Sequence, residues 1–255
     1  MKVSEQWLRE FVNPELDLEA IGEKLTFAGV ELDGIEPVAS AFTKVVVGEI
    51  IQIEQHPNAD RLKVCQVNVG ADEAIQIVTN VATIAVGDKV PVALVGAQLP
   101  EPDGSIFKIK KSKLRGELSQ GMFCGAETLG LDDDGAGLLA LPKDAELGMD
   151  VRDAAGLNDR ILDLDITPNR ADCLSIIGVA REVGVLTETD VAMPALVEVP
   201  VEGDQTFEVS LLAEGCQRYA GRIINGVDNT IATPDWMLTK LQRAGLRGVS
   251  VLVDI

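Results

Sequence analysis

"KVVVGEIIQIEQHP", residues 44–57, reads as a long β-strand: β-branched residues crowd it, and His56 and Pro57 close it. Four more β-rich runs follow: "LKVCQVNVG" (62–70), "AIQIVTN" (74–80), "DKVPVALVGAQLP" (88–100) and "SIFKIKKSKLRG" (105–116). Gly, Pro, Asn and Asp separate them at the intervals of a small all-β unit. Five such runs within one stretch predict an OB-like barrel, a fold whose groove commonly holds an oligonucleotide; a generic small β-barrel is the plainer alternative.

The flanks change period. In "LDLEAIGEKLTFAG" (16–29), Leu18, Ile21, Leu25 and Ala28 keep helical spacing, Asp17 is placed to cap the start, and Gly29 to supply the left-handed stop. Residues 1–39 thus read as strand, helix, helix, strand. After Val151 the alternation resumes. "RILDLDITP" (160–168) is a strand with Leu162, Leu164 and Ile166 on one face, and "CLSIIGVAREVGVL" (173–186) is an apolar helix with Asp172 as its cap. The fold class expected is α+β multidomain: an OB-fold barrel (40–151) inserted in a split α/β domain (1–39 and 152–198). "MPALVEVPVEGD" (193–204) has the composition of a linker, and 199–255 reads as the start of a further α/β domain. There Thr233 and Pro234 begin a helix that Gly245 ends, and "VSVLVDI" (249–255) is an apolar strand without partners, as in a truncated domain.

The 255 residues carry 22 basic and 41 acidic side chains, a net charge of -19, so the chain as a whole repels polyanions. A nucleic-acid role needs local sorting of charge. Residues 40–151 hold 10 basic and 16 acidic residues, and five of those cations, Lys108, Lys110, Lys111, Lys113 and Arg115, fall within eight positions. A bulge at Lys110–Lys111 would keep Phe107, Ile109, Ser112 and Leu114 inward and turn Lys108, Lys113 and Arg115 out. Edge-strand protection by lysine explains such a run equally well.

Other chemistry is sparse. Cys65, Cys124, Cys173 and Cys216 stand 59, 49 and 43 residues apart, which fits packed, reduced thiols and no Cys-x-x-Cys motif. A single histidine, His56, rules out two-histidine metal motifs and reads as a strand end. Asp163 and Asp165 fit the wet face of a strand better than a metal site, Asp132–Asp134 fit a solvated loop, and Trp7 and Trp236 fit helix anchors. In "TPNRAD", Asn169 and Arg170 first suggest a structural turn. The longest uncharged apolar stretch, 90–100, falls short of the roughly 20 residues that span a bilayer, so no membrane partner is expected and the cytoplasm is the expected location.

The blocks "HPNADRLKVCQVNVG" (56–70) and "KLRGELSQGMFCGAETLGL" (113–131) resemble the tRNA-binding OB module of aminoacyl-tRNA synthetases and their accessory proteins. The likeness is carried by His56, Pro57, Ala59, Asp60, Arg61, Leu62, Val64, Cys65, Val67 and Gly70, then by Arg115, Gly116, Ser119, Gly121, Met122, Cys124, Leu129 and Gly130. Where the module usually has a serine followed by acidic and lysine residues, this chain has Gly125, Ala126, Glu127 and Thr128. "MKVSEQWLREFV", "DITPNRADCLSIIGVAREVGVL" (165–186), "RYAGRIINGV" and the stretch from Ala232 to Ile255 extend the likeness to the N-terminal part of the bacterial phenylalanyl-tRNA synthetase β subunit. That resemblance implies an α2β2 heterotetramer that joins phenylalanine to its tRNA with ATP and Mg2+, with the aminoacylation site on α. The β subunit would contribute tRNA contacts, assembly surfaces and a site that hydrolyses mischarged tyrosyl-tRNA. Phosphate contact needs exposed cations, which Arg61, Lys63, Lys108, Lys110, Lys111, Lys113 and Arg115 are expected to supply, and the resemblance places Arg247 at the editing cleft. This stretch is expected to hold no catalytic residue, metal or cofactor of its own. The rival expectations are an OB module serving subunit assembly with little tRNA contact and a free-standing RNA-binding OB protein; a self-contained hydrolase is weakest.

Overall fold

The computed structural model describes residues 1–131 and 137–255, which divide into two compact units, 34–163 and the pair of segments 1–33 and 164–255. The chain crosses between them within strands β2 (Glu31–Pro37) and β11 (Arg160–Asp165).

The contiguous unit is built on a curled antiparallel sheet of β3 (Thr43–Gln55), β4 (Lys63–Asn68), β5 (Ile75–Thr79), β6 (Lys89–Pro100), β7 (Ile106–Lys108) and β10 (Gly121–Phe123). Its order is β10-β6-β3-β4-β5, with β7 also on β6. The sheet curls far enough for the Gln120 N–H to donate to the Gln76 carbonyl at 2.8 Å, which brings the approach to β10 beside β5. Ile50, Cys65, Val67, Ile77, Val92 and Phe123 fill the concave side. Val45, Val47, Ala93, Ala97 and Leu99 face the other way, where Cys124, Leu129, Val151 and Leu157 cover them. Burial on both faces explains why β3 and β6 read as near-continuous apolar runs. Gly48 is required by this curl: a Cβ there would stand 2.7 Å from Val92 Cγ2 and 2.8 Å from Val67 Cγ1.

The cationic run departs from the expected single strand with a bulge. Ile109 still bonds Ala97 and Gly96 beside β6, but the chain then leaves that sheet and forms a separate hairpin of β8 (Ser112–Leu114) and β9 (Glu117–Ser119). Only Ile109 is buried; Phe107, Ser112 and Leu114 are exposed. A strand that changes partners loses the common face that alternation assumes. Arg115 and Gly116 form the hairpin turn with φ of 50° and 105°, the pair of positive values that two-residue hairpins favour.

In the other unit, β1 (Lys2–Ser4) runs into α1 (Glu5–Arg9), and α2 (Leu18–Phe27) follows. Asp17 caps α2 by accepting from the Ala20 N–H at 2.8 Å, Leu18, Ile21 and Leu25 are buried, and Gly29 takes φ 86° at its end. Helix α4 (Ile176–Thr187) packs on α1 and α2. Its cap is Ser175, which accepts from the Gly178 N–H at 3.0 Å, rather than Asp172. Asp172 lies in a preceding 3-10 turn, Pro168–Cys173, that occupies the positions a longer helix would have used. Residues 190–234 carry no regular secondary structure apart from turns and bends.

Helix α5 (Asp235–Arg243) starts after Pro234 without a side-chain cap, since the Thr233 hydroxyl bonds Asp254 at 2.5 Å instead; Gly245 follows it with φ 79°. The expected terminal strand is a short helical turn, α6 (Val251–Asp254). Asp254 holds that turn by accepting from Val249 N–H as well, so local bonds satisfy backbone groups that a lone strand would leave open. A short helix α3 (Val151–Ala154) in the first unit completes the helices with four or more residues among those described.

Candidate nucleic-acid interface

The cations of 107–116 are spread over three local settings. Lys108 sits on β7 opposite Gln98, Lys110 and Lys111 lie on the link between sheets, and Lys113 and Arg115 belong to the β8–β9 hairpin. All five are exposed, and among the described residues none is ion-paired with a carboxylate. Arg61 is also exposed, in the loop before β4. Lys63 is different: its ammonium donates to the Ala82 carbonyl at 2.8 Å, so part of its hydrogen-bonding capacity is already used.

His56 fixes the hairpin. It is buried just past β3, accepts from the Asn58 N–H at Nδ1 (3.0 Å), and its Nε2 stands 2.9 Å from the Leu114 carbonyl. Because Nδ1 accepts, Nε2 carries the proton and donates to Leu114. Asn58 adds a bond from Nδ2 to the Arg115 carbonyl at 3.3 Å. The strand-end role expected of His56 therefore has a physical purpose: it ties the tip that bears Lys113 and Arg115 to the β3–β4 loop that bears Arg61. Phe107, exposed on β7, offers an aromatic face near Lys108, whereas Phe123 is buried.

Arg170 is turned inward. It donates to the Ala28 carbonyl (3.0 Å), chelates Asp172 through Nε (3.3 Å) and Nη2 (3.2 Å), and pairs with Glu182 at 2.8 Å. The hydrogen bond from Arg170 holds the Asp172 carboxyl below the usual carboxylate range. Asp172, Cys173 and Glu182 bring three potential metal-ligand atoms within 4.8 Å of one another. The Arg170 guanidinium already supplies the positive charge among them, and burial raises the Cys173 thiol pKa, which disfavours the thiolate a metal would need. The cluster is a structural clamp.

Arg247 lies exposed in the loop between α5 and α6. Lys240 stands 5.2 Å from the Trp7 ring centre and pairs with Glu10 at 2.5 Å, so Trp7 takes part in holding α5, whereas Trp236, on α5 itself and 5.9 Å from Lys240, is 62% exposed and does not act as the buried anchor expected of it. Asp132–Asp134 lie outside the described residues.

The curled antiparallel sheet, a half-barrel, is compatible with an OB-like domain, and the tRNA_bind family of putative tRNA binding domains matches residues 45–150. The B3_4 family, the B3/4 domain, matches 215–255. Over its full length the chain is 51% identical to the phenylalanine–tRNA ligase β subunit of Idiomarina loihiensis, 48% to that of Pseudoalteromonas translucida and 50% to that of Aromatoleum aromaticum, covering 32% of each. The likeness to these β subunits runs over the whole of this chain, at about 50% identity, and the chain spans about a third of the length of these relatives.

Proposed function

We propose that this chain is the N-terminal tRNA-binding and assembly region of a phenylalanine–tRNA ligase β subunit. The parent enzyme would join phenylalanine to its tRNA with ATP and Mg2+, as a cytoplasmic α2β2 heterotetramer, on a site carried by the α subunit. The single observation that carries the RNA role is the run of exposed, carboxylate-free cations within the segment matched by the tRNA binding domain family. Lys108, Lys110, Lys111, Lys113 and Arg115 meet phosphates, with Arg61 beside them and Lys63 contributing what its Ala82 bond leaves. The OB region (40–151) is an insertion in a split α/β domain (1–39 and 152–198), and 199–255 opens the editing-region domain, with Arg247 on the side of its cleft. This stretch holds neither ATP nor metal and catalyses neither reaction alone.

Equilibrium binding of phenylalanine tRNA over a salt series tests the reading. Five phosphate contacts give a slope of log affinity against log salt of about -3.5 to -4.5. Reversing Lys110, Lys111 and Lys113 to Glu removes three contacts and flattens the slope by about 2 to 3. Absence of binding at low salt, or an unchanged slope in the variant, assigns this region to assembly with the α subunit instead.

A further inference from the structure

The unit that carries the cationic run has three aromatic side chains, Phe42, Phe107 and Phe123. Phe42 and Phe123 are 4% and 7% exposed, and the Arg152 guanidinium lies 4.1 Å above the Phe42 ring. Phe107 is 47% exposed. Strand β7 holds it opposite Leu99 of β6, and the turn joining the two strands is closed by the Glu101 N–H donating to the Ser105 carbonyl at 3.0 Å. The ring is thus carried on a paired hairpin and not on a free loop, so little conformational freedom is lost when a ligand lies on it. Charge is sorted along this hairpin. Glu101 and Asp103 stand at its turn, before the ring, while Lys108, Lys110 and Lys111 follow the ring, exposed and without a carboxylate ion pair among the described residues.

Resting on the tRNA-binding reading above, we propose that Phe107 stacks on an unpaired base of the bound RNA, so that this region grips a single-stranded or looped segment. Bases inside a duplex are stacked on one another and offer no free face, whereas a splayed base does. Every base has a π-face, so the contact is tolerant of sequence. Lys108 and Lys110 follow the ring by one and three residues, roughly 3 and 10 Å along an extended chain, which sets them beside the phosphates of a nucleotide seated on it. Repulsion from Glu101 and Asp103 turns the RNA backbone away from the other end, toward Lys111. An apolar protein surface covering the ring would instead bury these cations without partners, which costs more than one ring returns.

The test is fluorescence anisotropy of labelled U12 RNA, a 12-base-pair RNA duplex and phenylalanine tRNA on this chain over a salt series. Phe107→Ala should weaken U12 and tRNA binding about 5- to 100-fold, while Phe107→Tyr stays within about twofold of the native chain and the duplex within about twofold throughout. The slope of log affinity against log salt should not change, because a stacked ring releases no counterion. Circular dichroism during urea unfolding shows whether the sheet is kept; where Phe107→Ala loses it, Phe107→Leu, which keeps apolar volume without a π-face, must show the loss by itself. Native-like binding of U12 or of tRNA by the Ala and Leu variants overturns the stacking while leaving the phosphate contacts standing. An equal loss on duplex and U12, or a changed slope, also overturns it, since the ring would then act by positioning the cations. Failure of every RNA to bind the native chain overturns the tRNA-binding reading with it.

Discussion

Arg170 exchanges surface availability for a role inside its own unit, and the exchange has a pH signature. Asp172 is held below its ordinary range chiefly by the hydrogen bond from Arg170, so the charged carboxylate is favoured in the folded state. The stabilisation is present in full above the ordinary carboxylate value of about 3.9, and is lost as pH falls through the depressed folded value. Trp7 and Trp236 are the two tryptophans of the chain and both lie in this unit, so their fluorescence reports its unfolding specifically. Urea titrations should show Asp172→Asn less stable than the native chain at pH 7, with the gap closing at acidic pH. A gap that is unchanged down to pH 2.5 would contradict the clamp. Cysteine gives a second residue-scale outcome. Burial raises the Cys65 and Cys173 thiols and pushes Cys124 up to about 12, while Cys216 is exposed. A disulfide-exchange reagent at pH 8 should titrate one thiol in the native chain and four in urea; rapid reaction of a second native thiol would show that a buried cluster opens.

At the scale of elements, helices and strands with a single partner were legible because their periodicity is local. Asp17, Leu18, Ile21, Leu25 and Gly29 specify α2 without reference to anything outside it. Phe107 was misplaced because its face depends on which strand the chain pairs with, and the change from β6 to β9 is written in no period. Cross-strand neighbours are invisible for the same reason: Gln52 on β3 meets Gln66 on β4, and Gln66 meets Gln76 on β5, only through strand register. Asp172 was given the capping role that Ser175 fills, since both precede the same apolar helix and the choice turns on a 3-10 turn. Two substitutions probe these elements. His56→Ala removes two part-buried hydrogen bonds that hold the hairpin and should cost about 1–3 kcal/mol, while loosening the proposed tRNA contact through Arg115. Gly48→Ala places a methyl against Val92 and Val67 and should cost about 1–3 kcal/mol by overpacking. Circular dichroism during urea unfolding measures both, since this unit contains no tryptophan.

For the whole molecule, the net charge of -19 and the proposed polyanionic partner are reconciled by distance. Screening confines surface fields to about 8 Å at physiological ionic strength, so a cationic hairpin is felt locally whatever the total. Connectivity poses the remaining question, because one unit is continuous in sequence and the other is not. The Val38 N–H donates to the Asp159 carbonyl at 2.9 Å, so the chain leaves and re-enters at adjoining points. An insertion with closed ends adds little strain to its host, and the host should survive its removal. Replacing residues 39–158 by a two-residue Asn-Gly turn should therefore leave the tryptophan-bearing unit cooperatively folded, with its urea midpoint near that of the full chain. The excised segment should form its curled sheet independently and keep the salt-dependent tRNA binding, while the shortened chain should lose it. Loss of cooperative unfolding in the shortened chain would mean that the inserted region is part of its host's core, and retention of tRNA binding there would move the RNA contact away from the cationic hairpin.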